Sequence, residues 1–298
     1  MSPAFPPALP LGAAQALIEA RLAEAGIEAP RREARLLLAA ATGLGLASLL
    51  GRAEQPVGDA GGVIACFLEA RLDRKPLSRI LGRREFYGLE FRLNATTLDP
   101  RGDTETLVDV VLGHLKAEGR EGASLDLLDL GTGSGAILLA LLSHLPHAAG
   151  LGIDIAVEAV EAARLNAEAL GLAGRARFAA GDLMAGLDAR FDVIVSNPPY
   201  IPTGDLAGLD PEVRRHDPLR ALDGGADGLD FYRRILADAP AGLHPGGLLA
   251  FEVGAGQAPA VAGAMRGAGF ESISTHPDLA GIPRVVAGRR MAGEKEGD

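Results

Sequence analysis

The sequence predicts an α/β protein: a doubly wound, mostly parallel sheet of seven strands behind a small N-terminal bundle of helices. Three observations carry this expectation. Residues 11–80 repeat apolar side chains at helical spacing and show no period-two segment. From Leu125 on, short apolar runs of strand length alternate with helical stretches, the pattern of a parallel sheet wrapped by crossover helices. The last two strand-like runs, ESISTH (271–276) and PRVVAGR (283–289), share a short link, which suggests an antiparallel pair at the sheet edge.

The elements follow in order. AAQALIEARLAEAG (13–26) is a helix stopped by Gly26. PRREARLLLAAATG (30–43) is a second, with Pro30 suited to its first turn and Gly43 to its end. GVIACFLEARLDRK (62–75) continues the pattern. EFYGLEFRL (85–93) alternates Leu89, Phe91 and Leu93 against Glu90 and Arg92 around a break at Gly88, so it reads as a hairpin at a domain boundary. Asp103 or Thr104 is placed to cap a helix whose apolar face is Leu107, Val108, Val111, Leu112 and Leu115. The runs LDLLDL (125–130), GLGID (150–154), RARFAA (175–180), FDVIV (191–195) and GLLAFEV (247–253) are the strands that precede the closing pair. The tail AGEKEGD reads as disordered.

Composition excludes several classes. A chain of 298 residues suggests two domains, and 48% hydrophobic with 23% charged residues is ordinary for a soluble globular protein. The 40 glycines and 19 prolines show no period, so neither collagen nor a solenoid is implied. The single cysteine, Cys66, allows no intrachain disulfide and fits a reducing cytoplasm; within VIACFLEARL it reads as a packed core thiol. MSPAFPPALP lacks the regions of a targeting signal, and its prolines suggest a loose start. The longest uncharged apolar segment, Leu36–Gly51, is too short and too glycine-broken to span a membrane. Residues 1–100 carry 12 basic and 11 acidic side chains, the remainder 17 and 28, so the later part would repel a phosphate backbone. The basic run Arg71–Arg92 reads as a solvated face, with contact to an acidic or RNA-bearing partner as the alternative. His144 and His147 have no carboxylate or cysteine cluster beside them, so no metal site is expected.

Two constellations carry chemistry. The first is the turn Gly131, Thr132, Gly133, Ser134 and Gly135, between a strand and a helix. Residues without Cβ allow the tight turn and a close ligand approach, and the helix start offers free N–H groups. The spacing also satisfies a loose dinucleotide fingerprint. Asp129 tilts the balance: a carboxylate there is unhelpful beside a pyrophosphate but suits the ammonium of a methionine-type ligand. Asp154 ends the second strand, where it can take ribose hydroxyls. Asp182 follows the third, placed for an adenine amino group with Leu183 beside the ring. Acids at three successive strand ends point to S-adenosylmethionine.

The second constellation is Asn197, Pro198, Pro199 and Tyr200, directly after FDVIV. An amide nitrogen is a poor nucleophile because its lone pair is delocalised. The Asn197 side-chain oxygen and the Pro198 carbonyl can each accept one of its N–H groups, the prolines remove local donors, and Tyr200 can stack on the planar group. Asn197, Pro198 and Tyr200 are the candidate catalytic residues; with Pro199 they are also the candidate substrate contacts.

DLGTGSG, GIDI, GDLM and SNPPYIP, in this order, resemble a class I S-adenosylmethionine-dependent methyltransferase acting on an amide or exocyclic amine. Over residues 11 to 290 the chain resembles the protein-(glutamine-N5) methyltransferases of peptide chain release factors, the PrmC/HemK family. Its selective segments are PLSRILGRREFYGLEF (76–91), PRGDTETLVD (100–109) and GIPRVVAGR (281–289). The resemblance implies a helical substrate-recognition domain (1–80), a hairpin linker (81–98), a Rossmann-like methyltransferase domain (99–290) and a disordered tail (291–298). It implies methyl transfer to the glutamine of the GGQ motif, with release factors as partners and S-adenosylhomocysteine as the cofactor product. Carried over by position, Gly131–Gly135, Asp154, Asp182, Leu183 and Asn197 would contact the cofactor. The expected protein is a cytoplasmic monomer that binds neither DNA nor membrane. Where the family has Ile-Pro-Arg-Pro, this chain has Asp99-Pro100-Arg101-Gly102, so a looser loop is expected. The alternatives are a glutamine methyltransferase of a ribosomal protein and, more remotely, an adenine-N6 DNA methyltransferase, which shares the Asn-Pro-Pro-Tyr tip.

Overall fold

The computed structural model describes residues 5–291. The stretch 292–298, most of the expected tail, lies outside the described residues, as do residues 1–4. The chain divides into two compact units. One comprises residues up to Gly82 together with 210–216; the other comprises 83–209 and 217 onward.

The first unit is helical, with helices Leu11–Glu24, Pro30–Thr42, Leu46–Leu50, Gly61–Leu72 and Leu77–Leu81. Pro30 occupies the first turn of its helix, and Gly43 ends it in the left-handed conformation at φ 69°. The core gathers Leu11, Ala14, Ile18 and Leu22 of the first helix with Leu37, Leu38, Ile64 and Leu68. Phe5 is buried in it, so the start is anchored by this residue rather than loose. Two more expectations need correction. Cys66 is exposed, because its helix buries Gly61, Ile64, Leu68 and Arg71, and residue 66 lies opposite that stripe. Arg71 is not on a solvated face but 5% exposed. Its guanidinium reaches Glu33 at 2.6 Å and, from the helix Pro211–His216, Glu212 at 2.9 Å.

The second unit opens with a hairpin, β1 (Arg83–Phe86) and β2 (Leu89–Arg92). Its turn residues Tyr87 and Gly88 both have positive φ, 53° and 75°, as a two-residue primed turn requires. Thr104 does not cap the following helix, Glu105–Ala117. A 3₁₀ turn, Gly102–Thr104, feeds that helix directly, so the Thr104 hydroxyl is spent elsewhere. The loop expected to be looser at Gly102 closes in this turn, with Thr104 N–H donating to the Arg101 carbonyl at 3.1 Å.

Seven strands form the sheet: β3 (Asp126–Leu130), β4 (Ala149–Asp154), β5 (Ala176–Ala180), β6 (Phe191–Ser196), β7 (Leu243–Glu252), β8 (Phe270–Pro277) and β9 (Pro283–Arg290). Their order is β5-β4-β3-β6-β7-β9-β8. The first five pair in parallel. Leu127, Leu128, Leu130, Val193, Ile194 and Val195 have no exposed surface, which is why the central strands read as continuous apolar runs. The closing pair is antiparallel and takes one edge of the sheet, as expected. β9 lies between β7 and β8, antiparallel to both. The helix Ala258–Gly267 carries the chain past one strand position, and the tight turn at 278–282 brings β9 back into the gap.

Arg71→Ala leaves Glu33 and Glu212 without their shared cation, so it is expected to destabilise the helical unit by about 3 kcal/mol. Glu212→Gln, which keeps the Glu33 pair, should cost clearly less. Denaturant titration of both variants checks the order.

Candidate active site

In the sheet order the chain builds outward from β3 to β5, then returns to β6 on the other side of β3. The β3–β6 boundary is therefore the switch point, where the loops leaving two neighbouring strands diverge and open a crevice. Leu130 pairs with Ser196 in register, and the Ser196 hydroxyl donates to the Leu130 carbonyl at 2.7 Å. The glycine turn and the Asn-Pro-Pro-Tyr tip thus start side by side.

Gly131, Gly133 and Gly135 have φ of +72°, +56° and +80°. A Cβ at Gly131 or Gly133 would meet nothing within 4 Å, so these two present open backbone. At Gly135 it would crowd Ala163, Leu139 and Phe178, so this residue serves packing. Asp154 fastens the turn, accepting from Gly133 N–H and Ala156 N–H, both at 2.9 Å. Thr132 and Ser134 are buried. The Ser134 carbonyl accepts from Asn166 Nδ2 at 2.9 Å, and Asn166 also pairs with the backbone of Arg92, tying the turn to the hairpin.

Asp129 is fully buried. The Thr132 hydroxyl donates to its Oδ2 at 2.6 Å, and Oδ1 has no partner. Burial pushes this carboxyl up to about 7; Thr132 opposes the shift and the Asp154 charge adds to it. A buried carboxylate oxygen without a donor is costly unless a donor arrives. The site therefore fits an ammonium at this position. Asp182 stands apart after β5: it is half-exposed and held by Arg234 at 2.7 Å. Leu183 beside it takes positive φ, 53°.

At the tip, the Asn197 amide nitrogen donates to the Thr104 hydroxyl oxygen at 3.2 Å, leaving the amide oxygen with no internal donor among the described residues. Pro198 is buried. The Tyr200 carbonyl accepts from Gln257 at 2.8 Å, and its hydroxyl faces Glu252 at 3.5 Å. Burial pushes the Tyr200 phenol up to about 12, with the Glu252 charge adding to it, so it is a neutral donor. Three glycines pack against this loop. A Cβ at Gly224 would lie 2.8 Å from the Pro199 carbonyl oxygen, one at Gly228 2.3 Å from that of Tyr200, and one at Gly254 3.0 Å from the Tyr200 ring.

The structure thus brings Asp129, Gly131–Gly135 and Asp154 beside Asn197–Tyr200. Sequence reasoning read Thr104 as a possible helix cap and missed Asn166, Glu252 and Gln257. Only the glycine clusters DGGADG (223–228) and EVGAGQ (252–257) hinted that backbone comes close to something there.

Comparison with known proteins agrees with this architecture. The PrmC N-terminal domain family matches residues 13–82, and the methyltransferase small domain family matches 104–207. A release factor glutamine methyltransferase of Rhodospirillum rubrum is 51% identical, over 91% of this chain and 82% of that one. One of Bradyrhizobium diazoefficiens is 46% identical, over 93% and 94%. Among solved structures, the hMettl16 catalytic domain in complex with MAT2A 3'UTR hairpin 6 aligns with TM-score 0.57 at 16% identity, covering 77% of this chain and 83% of that one. A methyltransferase from Pyrococcus furiosus aligns with TM-score 0.50 at 19% identity, covering 69% and 91%. These two show a shared fold.

In the cofactor-free protein, Asp129→Asn is expected to raise the melting temperature at pH 8. The folded carboxyl titrates near 7 against an ordinary 3.8, so the folded state holds the extra proton and stability falls as pH rises through that window. The gain should shrink toward pH 4. Thermal melts across this range check it, and a variant less stable than wild type at pH 8 contradicts it.

Proposed function

The chain belongs to the release factor glutamine methyltransferase family, and we propose that it transfers a methyl group from S-adenosylmethionine to the side-chain nitrogen (N5) of the glutamine in the release factors' GGQ motif. The observation that supports this most is the fixed Asn197 amide. Its nitrogen donates to Thr104, which leaves its oxygen available to a substrate donor near the open glycine turn.

When bound, the cofactor supplies an electrophilic methyl on a sulfonium. Asp129 would take its ammonium, the backbone of Gly131–Gly135 would line it, and Asp154 would accept from ribose hydroxyls. Asp182 and Leu183 are the adenine contacts in this reading, with Asp182 sharing its oxygens with Arg234. Asn197 Oδ1 and the Pro198 carbonyl accept the two N–H groups of the substrate amide, and Pro199 and Tyr200 shape the slot that keeps it planar. Held this way, the substrate nitrogen would present its lone pair out of the amide plane to the cofactor's methyl group, and one of its two protons would leave past the Asn197 and Pro198 acceptor oxygens to solvent. Positioning, with acceptor oxygens facing the growing positive charge on nitrogen, supplies the rate. The helical domain is the natural recogniser of the release-factor body, since a GGQ loop alone offers little area.

The fold and tip are compatible with base methylation, but 28 acidic against 17 basic side chains beyond residue 100 disfavour a nucleic-acid substrate. Among the described residues no helix is long and apolar enough to cross a membrane. Action in the cytoplasm, where release factors work, completes the reading.

Purified protein with labelled cofactor is expected to label a release factor and not its GGQ-to-GGA variant; equal labelling of both would sink the glutamine assignment. Asn197→Ala should lower kcat by roughly 10²-fold or more. Cofactor affinity, measured by calorimetry, should change less than about tenfold, because Asp129, Asp154 and the glycine turn remain.

A further inference from the structure

We propose that Asn166 is a positioning residue for cofactor binding: its buried side-chain amide fixes the glycine turn against the backbone of β2. The inference rests on the reading that this turn carries S-adenosylmethionine, and it deepens that reading by naming what holds the turn in shape. Asn166 lies on the helix Val157–Ala169 and has no exposed surface. A primary amide offers an acceptor oxygen and two donor hydrogens, and here all of them are engaged. Oδ1 accepts from Arg92 N–H at 2.8 Å, while Nδ2 donates to the Arg92 carbonyl at 3.1 Å and to the Ser134 carbonyl at 2.9 Å. Strand β2 decides which way this amide points. A backbone N–H only donates and a carbonyl only accepts, so Arg92 sets Oδ1 against its nitrogen and Nδ2 against its oxygen. One hydrogen of Nδ2 is then left, and it is directed at Ser134. The reversed amide would face NH₂ to N–H and oxygen to carbonyls.

Ser134 sits where the turn changes character. Gly131 and Gly133 before it present open backbone, whereas a Cβ at Gly135 after it would meet Ala163 at 3.2 Å. Ala163 and Asn166 lie three apart on one helix and so share a face. That face meets the turn twice, with a methyl group at Gly135 and an amide at Ser134. The end of β4 pins the first half of the turn: Gly131 and Thr132 N–H donate to the Ile153 carbonyl at 2.8 and 3.0 Å, and Gly133 N–H to Asp154 at 2.9 Å. Asn166 pins the second half. Without its donor the Ser134 carbonyl would be buried and unpaired, a cost relieved by rotating the Ser134–Gly135 peptide. The backbone expected to line the cofactor would then have to be ordered at each binding event instead of being held ready. The hairpin therefore belongs to the cofactor site without touching it, because its backbone orients the amide that holds the turn.

The test is the affinity for S-adenosylhomocysteine, measured by calorimetry. Asn166→Asp keeps the acceptor for Arg92 N–H and loses both donor hydrogens. It should weaken binding by about tenfold or more, while kcat at saturating cofactor stays within about threefold of wild type. Arg92→Pro removes only the N–H that orients the amide; that N–H faces Asn166 and not β1, so the hairpin ladder keeps its bonds. It should weaken binding by about threefold or more. A second readout needs no ligand. In the cofactor-free protein, hydrogen exchange at Gly135 N–H, which donates to the Thr132 carbonyl, should quicken by about tenfold in Asn166→Asp, and exchange at Ala287 in β9 by less than about threefold. Unchanged affinity in a folded Asn166→Asp protein overturns the proposal. So does exchange that quickens equally at Gly135 and Ala287, since that marks a purely structural residue. Should Asn166→Asp not fold, the affinity and Gly135 exchange of Arg92→Pro decide, and wild-type values for both overturn the proposal. If wild type itself does not bind S-adenosylhomocysteine, the cofactor reading fails and this proposal with it; if wild type binds and the variants bind equally well, this proposal alone fails.

Discussion

The hydrogen bond from the Ser196 hydroxyl to the Leu130 carbonyl joins the ends of two neighbouring strands, and the site depends on that junction. Both strands are wholly buried at their centres, so neither end can shift without disturbing the sheet. Beyond the junction one chain turns into a helix through three glycines with positive φ, and the other leaves as a proline-stiffened tip. A ligand on the glycine turn and a group at the tip would thus share one crevice framed by the backbone itself. Transfer between them asks for positioning above all, and a parallel sheet at its switch point is a rigid frame for that.

Two acids near this junction differ from the other acids of the site. Asp154 is supplied with backbone donors and Asp182 with Arg234. Asp129 and Glu252 are each nearly without exposed surface, and each keeps one oxygen without a partner. Burial raises both carboxyls to about 7. Folding alone gains nothing from such groups, since a buried polar atom without a partner is a net cost. For Asp129 the cost makes sense as one offset by a cation that takes the open oxygen. Asp154 and Asp182 thus have their oxygens engaged by the fold, whereas Asp129 keeps one without a partner.

Much of this was legible in the sequence. The glycine turn announced itself because only glycine tolerates the φ values it needs, and the central strands because burial on both faces leaves continuous apolar runs. What escaped notice depends on tertiary placement. Thr104 looked like a helix cap because its local pattern is that of a cap; only the 3₁₀ turn ahead of it frees the hydroxyl for Asn197. Glu252 lies in the strand-like run GLLAFEV, and nothing local shows that Tyr200 faces it. Arg71 was misjudged for the same reason, since its partners come from residues 33 and 212. The place of β9 between β7 and β8 was hidden because a short link fixes pairing but not which strand of the pair takes the inner position.

The prolines of the tip therefore explain less than their prominence suggests. Pro198 and Pro199 restrict φ and remove donors, yet a proline turn alone can lean in several directions. Its direction is set from outside, by backbones that come closer than any Cβ would allow. Gly224 and Gly228 press on the carbonyls of Pro199 and Tyr200, and Gly254 on the Tyr200 ring. Gln257 then bonds both the Tyr200 carbonyl and the Gly254 N–H, clamping the loop to the end of β7. That is also where Glu252 sits, its Oε1 facing the Tyr200 hydroxyl at 3.5 Å. Asn-Pro-Pro-Tyr takes a single direction here because two glycine-rich segments, distant in sequence, leave it one position to occupy.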